Sequence, residues 1–246
     1  ELQHIHAMSH SRTLSVIPVS SQIPATHLAE KLTEHLQRWP HVRLVTAAHV
    51  DTLFGEGFSQ TPLDYSVDDL KLRQWLASLE EKHCYVLYAA HNNEDEWTKR
   101  CLHQADRILI LAEANQTPIH TKLVDVLNQH NWQSPIELVL LRSEGDPSPH
   151  TLVWKKLYHA RAHYFIHPWA QADICAVARQ ISSQGLGLVL GGGGARGFAH
   201  IGLIRALEQL HIPIDIVGGT SMGAFVAALV ACGFDSVEMT HIAYET

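Results

Sequence analysis

Gly192, Gly193, Gly194 and Ser221 are the residues whose types and spacing could do chemistry. The first three lie in Gly187-Leu-Val-Leu-Gly-Gly-Gly-Gly-Ala-Arg-Gly197, an apolar run followed by a glycine turn and a helical pattern. Twenty-two residues beyond Gly197 comes Gly219-Thr220-Ser221-Met222-Gly223, again between an apolar run and a helical pattern. A G-x-S-x-G pattern needs its two glycines because a strand-to-helix turn sharp enough to push a serine Oγ outward leaves no room for side chains beside it. A serine in that turn also sits at a helix N-terminus, where free N–H groups favour developing negative charge. The N–H groups of the glycine turn could face a carbonyl oxygen as it becomes an oxyanion, and losing one such donor costs roughly 3–4 kcal/mol of transition-state stabilisation. Together the two motifs describe acyl transfer to Ser221 followed by hydrolysis.

The turn Gly192-Gly193-Gly194-Ala195-Arg196-Gly197 also fits G-x-G-x-x-G, and a dinucleotide-binding turn is the competing reading. That fold needs an acidic residue at the end of the second strand to hold a ribose. Asp215 has about the right separation but stands at the start of the next strand, and the serine turn occupies the strand's end. His200 could be mistaken for the histidine of a catalytic triad. It lies in the helix after the glycine turn, which gives it a packing role, because a base must reach the Ser221 proton.

The two motifs, in this order and spacing, resemble the patatin-like phospholipase family. The matching text is Gly187 to Glu208, then Pro213-Ile-Asp-Ile-Val-Gly-Gly-Thr-Ser-Met-Gly223. Upstream, Arg73-Gln-Trp-Leu, Tyr85-Val-Leu-Tyr and Trp97-Thr-Lys-Arg-Cys-Leu-His-Gln-Ala-Asp106 are similar to the segment preceding the catalytic domain in bacterial relatives of neuropathy target esterase. The resemblance implies a Ser–Asp dyad without histidine. Ser221 would be the nucleophile and Gly192, Gly193 and Gly194 the oxyanion hole. Ala195, Arg196 and Gly197 complete the glycine motif, and Gly219, Thr220, Met222 and Gly223 the serine turn. The substrate would be a phospholipid or lysophospholipid ester, with no cofactor. The protein would be cytoplasmic with peripheral contact to the inner membrane, and a cyclic-nucleotide-binding domain would lie upstream in a longer parent. The dyad's Asp belongs to an Asp-Gly-Gly or Asp-Gly-Ala motif, and the sequence contains no Asp-Gly pair. The expectation is therefore an incomplete site, with neither Asp215 nor Asp235 promoted to base. A non-catalytic regulatory or interaction module of a larger lipase remains the alternative function, with a dinucleotide-binding protein as a third.

Composition sets the outer bounds. Across 246 residues, 46 % are hydrophobic, enough for a sizeable core. The net charge of −7 argues against a nucleic-acid partner, which needs clustered Lys and Arg. Cys84, Cys101, Cys175 and Cys232 lie far apart, as reduced thiols do. The opening Glu1-Leu-Gln-His-Ile-His shows no signal-peptide pattern and no starting Met, which reads as a fragment or processed chain. Ile216 to Phe234 is free of charge over 19 residues, but its Gly-Gly-Thr-Ser-Met-Gly centre reads as strand, turn and helix rather than a membrane span.

The elements that must carry the site alternate. Strands are expected at Thr13–Val19, His41–Thr46, Cys84–Ala89, Arg107–Ala112 and Ile136–Leu141, with a short apolar piece at Tyr164–Ile166. Helices are expected at Ala25–Arg38, with Leu28, Leu32, Leu36 and Trp39 on one stripe, after Ser66, at Glu94–Gln104, around Ile119 to Leu127, at Leu152–Ala162 and over Ile174 to Ile181. The pattern predicts a doubly wound, mostly parallel, Rossmann-like sheet of degenerate nucleotide-binding type, followed by the start of a patatin-like α/β hydrolase domain. Residues 1–10 form a tail, 11–183 the first domain and 184–246 the second.

The element order of the first domain is similar to the MinD/ParA class of ATPases. Its first turn, Val19-Ser-Ser-Gln-Ile-Pro24, has neither the glycines nor the lysine of a P-loop, so no ATP site is expected. His159, His163 and His167 are spaced by four, but Pro168 and the Tyr-Phe-Ile run interrupt the helix that would align them, and no metal site is expected.

Overall fold

The computed structural model describes residues 13–37, 41–129, 134–143, 145 and 148–245. The chain divides into two compact units, Glu1–Ala178 and Arg179–Thr246. Arg38 and Trp39 of the expected first helix and the expected tail at residues 1–10 lie outside the described residues.

The first unit is built on six strands: β1 (Thr13–Pro18), β2 (Val42–Thr46), β3 (Tyr85–Ala89), β4 (Arg107–Glu113), β5 (Ile136–Leu141) and β6 (Ala162–Ile166). They pair in the order β2-β3-β1-β4-β5-β6, every pair parallel. Every residue of β1 and β3 is buried, as a sheet covered on both faces requires. The apolar runs read from the sequence are therefore its central strands, with β1 and β4 in the middle.

Helices connect the strands: α1 (Ala25–Leu36), α2 (Ala47–Phe54), α3 (Val67–Lys82), α4 (Glu96–Gln104), α5 (Lys122–Gln129), α6 (Thr151–Leu157) and α7 (Gln171–Ile181). On one face Ile17, Val86, Tyr88, Ile108 and Ile110 pack with Leu72 and Leu76 of α3, Trp97 and Cys101 of α4 and Leu123 of α5. α1 packs against β1, β2 and β3 and buries Leu28, Leu32 and Leu36, worth roughly 1.5–3 kcal/mol each. Ser66 caps α3 by accepting from the Asp69 N–H, and Asp95 caps α4 by accepting from the Thr98 N–H.

Three sequence expectations need correction. The helix expected to run to Ala162 ends at Leu157, and Ala162–Ile166 is a full edge strand on β5. His159, His163 and His167 thus fall on a post-helix turn, a strand and the following loop, and share no helical face. Ile119 precedes α5 and is 72 % exposed, so it is not on that helix's buried stripe. Helix α2 has no counterpart in the sequence reading, although Thr46 caps it by accepting from the His49 N–H at 3.1 Å.

The second unit contains β7 (Gly187–Leu190), a 3-10 turn (Gly194–Phe198), α8 (Ala199–Gln209), β8 (Ile216–Gly219), α9 (Met222–Ala231) and α10 (Ser236–Glu245). Its core joins Leu190, Ile201, Ile204, Val226, Ala227 and Met239. Strand β8 begins at Ile216, where the Asp215 and Ile216 N–H groups both donate to the Leu186 carbonyl. Leu210 lies past the end of α8 and is 68 % exposed. Helix α10, unassigned from sequence, opens on a capping box. Asp235 Oδ1 accepts from the Val237 and Glu238 N–H groups, and the Asp235 N–H donates to Glu238 at 2.9 Å. Among the described residues no helix is long and apolar enough to cross a membrane, and Ile216–Phe234 forms β8, a turn and α9.

Candidate active site

Strands β7 and β8 are parallel neighbours in the register Gly187↔Ile216 to Leu190↔Gly219. Their C-terminal ends therefore coincide, and the glycine turn and Ser221 leave the sheet at the same end. The turn is tied down by the Thr220 N–H donating to the Leu190 carbonyl at 3.1 Å.

Ser221 has φ 52° and ψ −128°, a left-handed conformation that a residue with a side chain rarely adopts. It is the N-cap of α9, yet its side chain makes no capping bond, and the residue is exposed. Its carbonyl accepts from Ala224 N–H at 2.9 Å and Phe225 N–H at 3.2 Å. The turn is thus held by the backbone, and the hydroxyl is left out of the capping role serine usually fills.

Both glycines of the motif are sterically required. A Cβ on Gly219 would meet the Gly223 carbonyl and come within 2.7 Å of the Ala224 nitrogen. A Cβ on Gly223 would run into the backbone of Leu190 and Gly191, 2.6 Å from the Leu190 carbonyl carbon. The second contact is between α9 and the exit of β7, so Gly223 sets how closely the serine turn approaches the glycine turn. Gly197 serves the same approach from the other side. It is buried, and a Cβ there would stand 2.7 Å from the Met222 Cβ.

Gly192 faces Ser221 directly. A Cβ on it would be 3.1 Å from the Ser221 Cβ and 3.8 Å from Oγ. Gly194 has φ 55° and opens the 3-10 turn, while Arg196 N–H donates to the Gly193 carbonyl at 3.2 Å. Among the described residues no protein acceptor takes the N–H of Gly192, Gly193 or Gly194. Gly191 to Arg196 are all exposed, Ala195 included. The arrangement offers a presented hydroxyl beside a run of uncommitted backbone donors.

The two aspartates of the second unit are committed elsewhere. Asp215 stands at the opposite end of β8 and accepts from Arg179 Nη2 at 2.6 Å, Arg179 Nε at 3.0 Å and the Leu186 N–H at 3.0 Å. That placement serves neither a base for Ser221 nor a ribose partner beside the glycine turn. Asp235 is engaged in capping α10. His200 Nε2 lies 2.9 Å from the Gly191 carbonyl and braces the glycine turn, an anchoring contact that its helix position alone did not specify.

In the first unit, the place where a phosphate would sit carries different chemistry. A recess of about 310 Å³ opens at the C-terminal ends of β1, β4, β5 and β6, lined among others by Gln22, Pro24, Glu113, Asn115, Ser143 and Trp169. No Lys or Arg lines it, and Glu113 contributes a carboxylate. Among the described residues no group of three or more His, Cys, Asp or Glu could hold a metal.

Comparison with known proteins agrees with this division. Residues 10–185 match the Neuropathy Target Esterase family P-loop like domain, and residues 188–246 match the patatin-like phospholipase family. Patatin-like phospholipase domain-containing protein 7 of Rattus norvegicus is 34 % identical over 89 % of this chain and 18 % of its own length. Patatin-like phospholipase domain-containing protein 6 of Homo sapiens is 32 % identical over 91 % of this chain and 18 % of its own length. The chain thus spans less than a fifth of these relatives. Among solved structures, a plasmid partition protein from Borrelia burgdorferi superimposes with a TM-score of 0.52 at 14 % identity, covering 71 % of this chain and 97 % of that one. That likeness is one of fold, the nucleotide-binding-like parallel sheet of the first unit. With the family matches on both units, the chain belongs to the neuropathy target esterase family of patatin-like phospholipases.

Proposed function

We propose that Ser221 is the nucleophile of a serine esterase acting on phospholipid or lysophospholipid acyl esters. The observation that carries this reading is the approach of Gly192 to Ser221 at the shared end of β7 and β8. In the proposed reaction Ser221 Oγ bonds to the ester carbonyl carbon while its proton passes to a carboxylate base. The oxyanion so formed takes hydrogen bonds from the N–H groups of Gly192, Gly193 and Gly194, which have no acceptor among the described residues. Collapse of the tetrahedral species breaks the ester C–O bond, and the alcohol leaves with the proton. Water then hydrolyses the acyl-serine by the same steps.

The base of this scheme is the Asp of a Ser–Asp dyad. Asp215 and Asp235 are occupied as described, and the sequence contains no Asp-Gly pair. We assign the base to a segment outside these 246 residues. The protein would work in the cytoplasm at the surface of a membrane, where its substrates lie. The test is lysophospholipid hydrolysis by these residues joined to a downstream Asp-Gly-Gly or Asp-Gly-Ala segment, with and without Ser221→Ala. Activity that survives the substitution refutes the assignment.

For the first unit we propose a regulatory or scaffolding role without nucleotide. The recess lacks the cation and the glycine cradle a triphosphate needs, and Glu113 opposes an anion there.

A further inference from the structure

The Gly191 carbonyl is the first beyond the β7–β8 ladder. The Leu190 carbonyl before it is taken by the Thr220 N–H at 3.1 Å. Among the described residues no backbone N–H meets the Gly191 carbonyl. A side chain meets it instead. His200, the second residue of α8, brings Nε2 to 2.9 Å from that oxygen. A carbonyl oxygen only accepts, so Nε2 carries the proton and donates. The same oxygen also lies against α9, where a Cβ on Gly223 would come within 2.5 Å of it. It is thus held between the first turns of two helices.

Holding this oxygen holds a hydrogen-bond donor as well. The C=O of Gly191 and the N–H of Gly192 belong to one planar, trans peptide unit. The two bonds point in opposite directions across that plane, so fixing one fixes the other. The Gly192 N–H has no acceptor among the described residues. It belongs to the residue on which a Cβ would stand 3.8 Å from Ser221 Oγ. Both residues that flank the plane are exposed glycines, whose backbone turns with little steric resistance. The restraint therefore has to come from outside the glycine turn, and His200 supplies it.

We propose that His200 is a positioning residue of the esterase, which aims the Gly192 N–H at the oxyanion through the Gly191–Gly192 peptide. The inference rests on the assignment of Ser221 as nucleophile. In this role His200 touches neither the substrate nor the Ser221 proton. A donor set in place beforehand needs no reorganisation as charge develops on the carbonyl oxygen. Loss of the His200 bond then weakens the transition state more than the bound ester, so it lowers kcat and leaves KM nearly unchanged.

The test uses lysophospholipid hydrolysis by these residues joined to the downstream Asp-Gly-Gly or Asp-Gly-Ala segment. His200→Leu fills the space without a donor. His200→Gln carries an amide N–H at about the reach of Nε2. Each kcat is taken per active site titrated with a p-nitrophenyl phosphonate, so misfolded protein does not enter the rate. His200→Leu should lower kcat by about tenfold, short of the 10²–10³ that follows outright loss of a donor. His200→Gln should recover most of that loss, which a general base could not do, since an amide takes up no proton. A trifluoromethyl ketone, which binds as a tetrahedral adduct of Ser221, should weaken in His200→Leu by the same factor as kcat/KM. A kcat unchanged in His200→Leu overturns the proposal, and so does a His200→Gln variant as slow as His200→Leu. Both results leave the Ser221 assignment standing, provided that Ser221→Ala abolishes turnover in the same protein. Turnover that survives Ser221→Ala overturns both.

Discussion

A side chain on Gly192 would stand 3.1 Å from the Cβ of Ser221, so the glycine turn and the serine turn are in direct contact although 29 residues separate them in the chain. The contact depends on two parallel strands ending together and on Gly223 letting α9 approach the exit of β7. The functional proposal rests on this juxtaposition rather than on either motif alone.

Gly192→Ala should separate stability from chemistry. At 3.1 Å the serine turn must give by only a few tenths of an ångström, which the open surface allows. The thermal midpoint should change little. Hydrolysis by the dyad-complete protein should fall by about 10²–10³, the effect of disturbing an oxyanion-hole donor. Parallel melting curves and lysophospholipid assays read the two effects.

Gly223→Ala should instead break the second unit. Its Cβ meets rigid backbone at Leu190 and Gly191, and overpacking of this kind costs about 1–3 kcal/mol. Hydrogen exchange should show faster exchange in β7, β8 and α9, with the strands of the first unit unchanged. Equal protection in both proteins would contradict the packing described for α9.

Asp69 should be a stability determinant of the first unit. Its carboxylate, fully buried, is 2.8 Å from Arg100 Nη1 and 2.9 Å from Arg73 Nε, and it accepts from the Tyr65 N–H. Burial opposes its ionisation, but the bonds from Arg73, Arg100 and Tyr65 outweigh burial and hold the carboxyl below the usual range. Asp69→Ala leaves the Arg100 guanidinium, 2 % exposed, without its counter-charge, and should cost about 3–5 kcal/mol in urea unfolding. Because the folded-state value is lowered, the contribution is present above the unfolded value of about 3.9 and is lost as pH falls toward the folded one. The wild-type advantage over Asp69→Ala should therefore shrink below about pH 4.

The whole chain should show no Mg-dependent ATP binding by calorimetry. The turn after β1 has no lysine, and the recess beside it carries Glu113. Micromolar, Mg-dependent binding would contradict this.

Much of the architecture was legible because it follows from local pattern. The strands of the parallel sheet are apolar runs, and α1 and α7 show their buried stripes as Leu28-Leu32-Leu36 and Ile174-Val177-Ile181. The serine and glycine motifs were legible because sterics allow few sequences in such turns. Helices α2 and α10 were missed because short helices declare themselves mainly through caps, Thr46 and the Asp235–Glu238 box, rather than through periodicity. The commitment of Asp215 to Arg179 was not legible, since 36 residues separate the two in the chain.

The most direct measurement is ester hydrolysis by the 246-residue chain beside the dyad-complete protein, each with its Ser221→Ala variant. A short-chain p-nitrophenyl ester serves the first and a lysophospholipid the second. The 246 residues alone should stay near background, because Asp215 pairs with Arg179 and Asp235 caps α10. The dyad-complete protein should turn over its lipid and lose that activity in Ser221→Ala. Robust turnover by the 246 residues that disappears in Ser221→Ala would show that a base lies within them. Lipid hydrolysis untouched by Ser221→Ala in the complete protein would contradict the assignment of Ser221 as nucleophile.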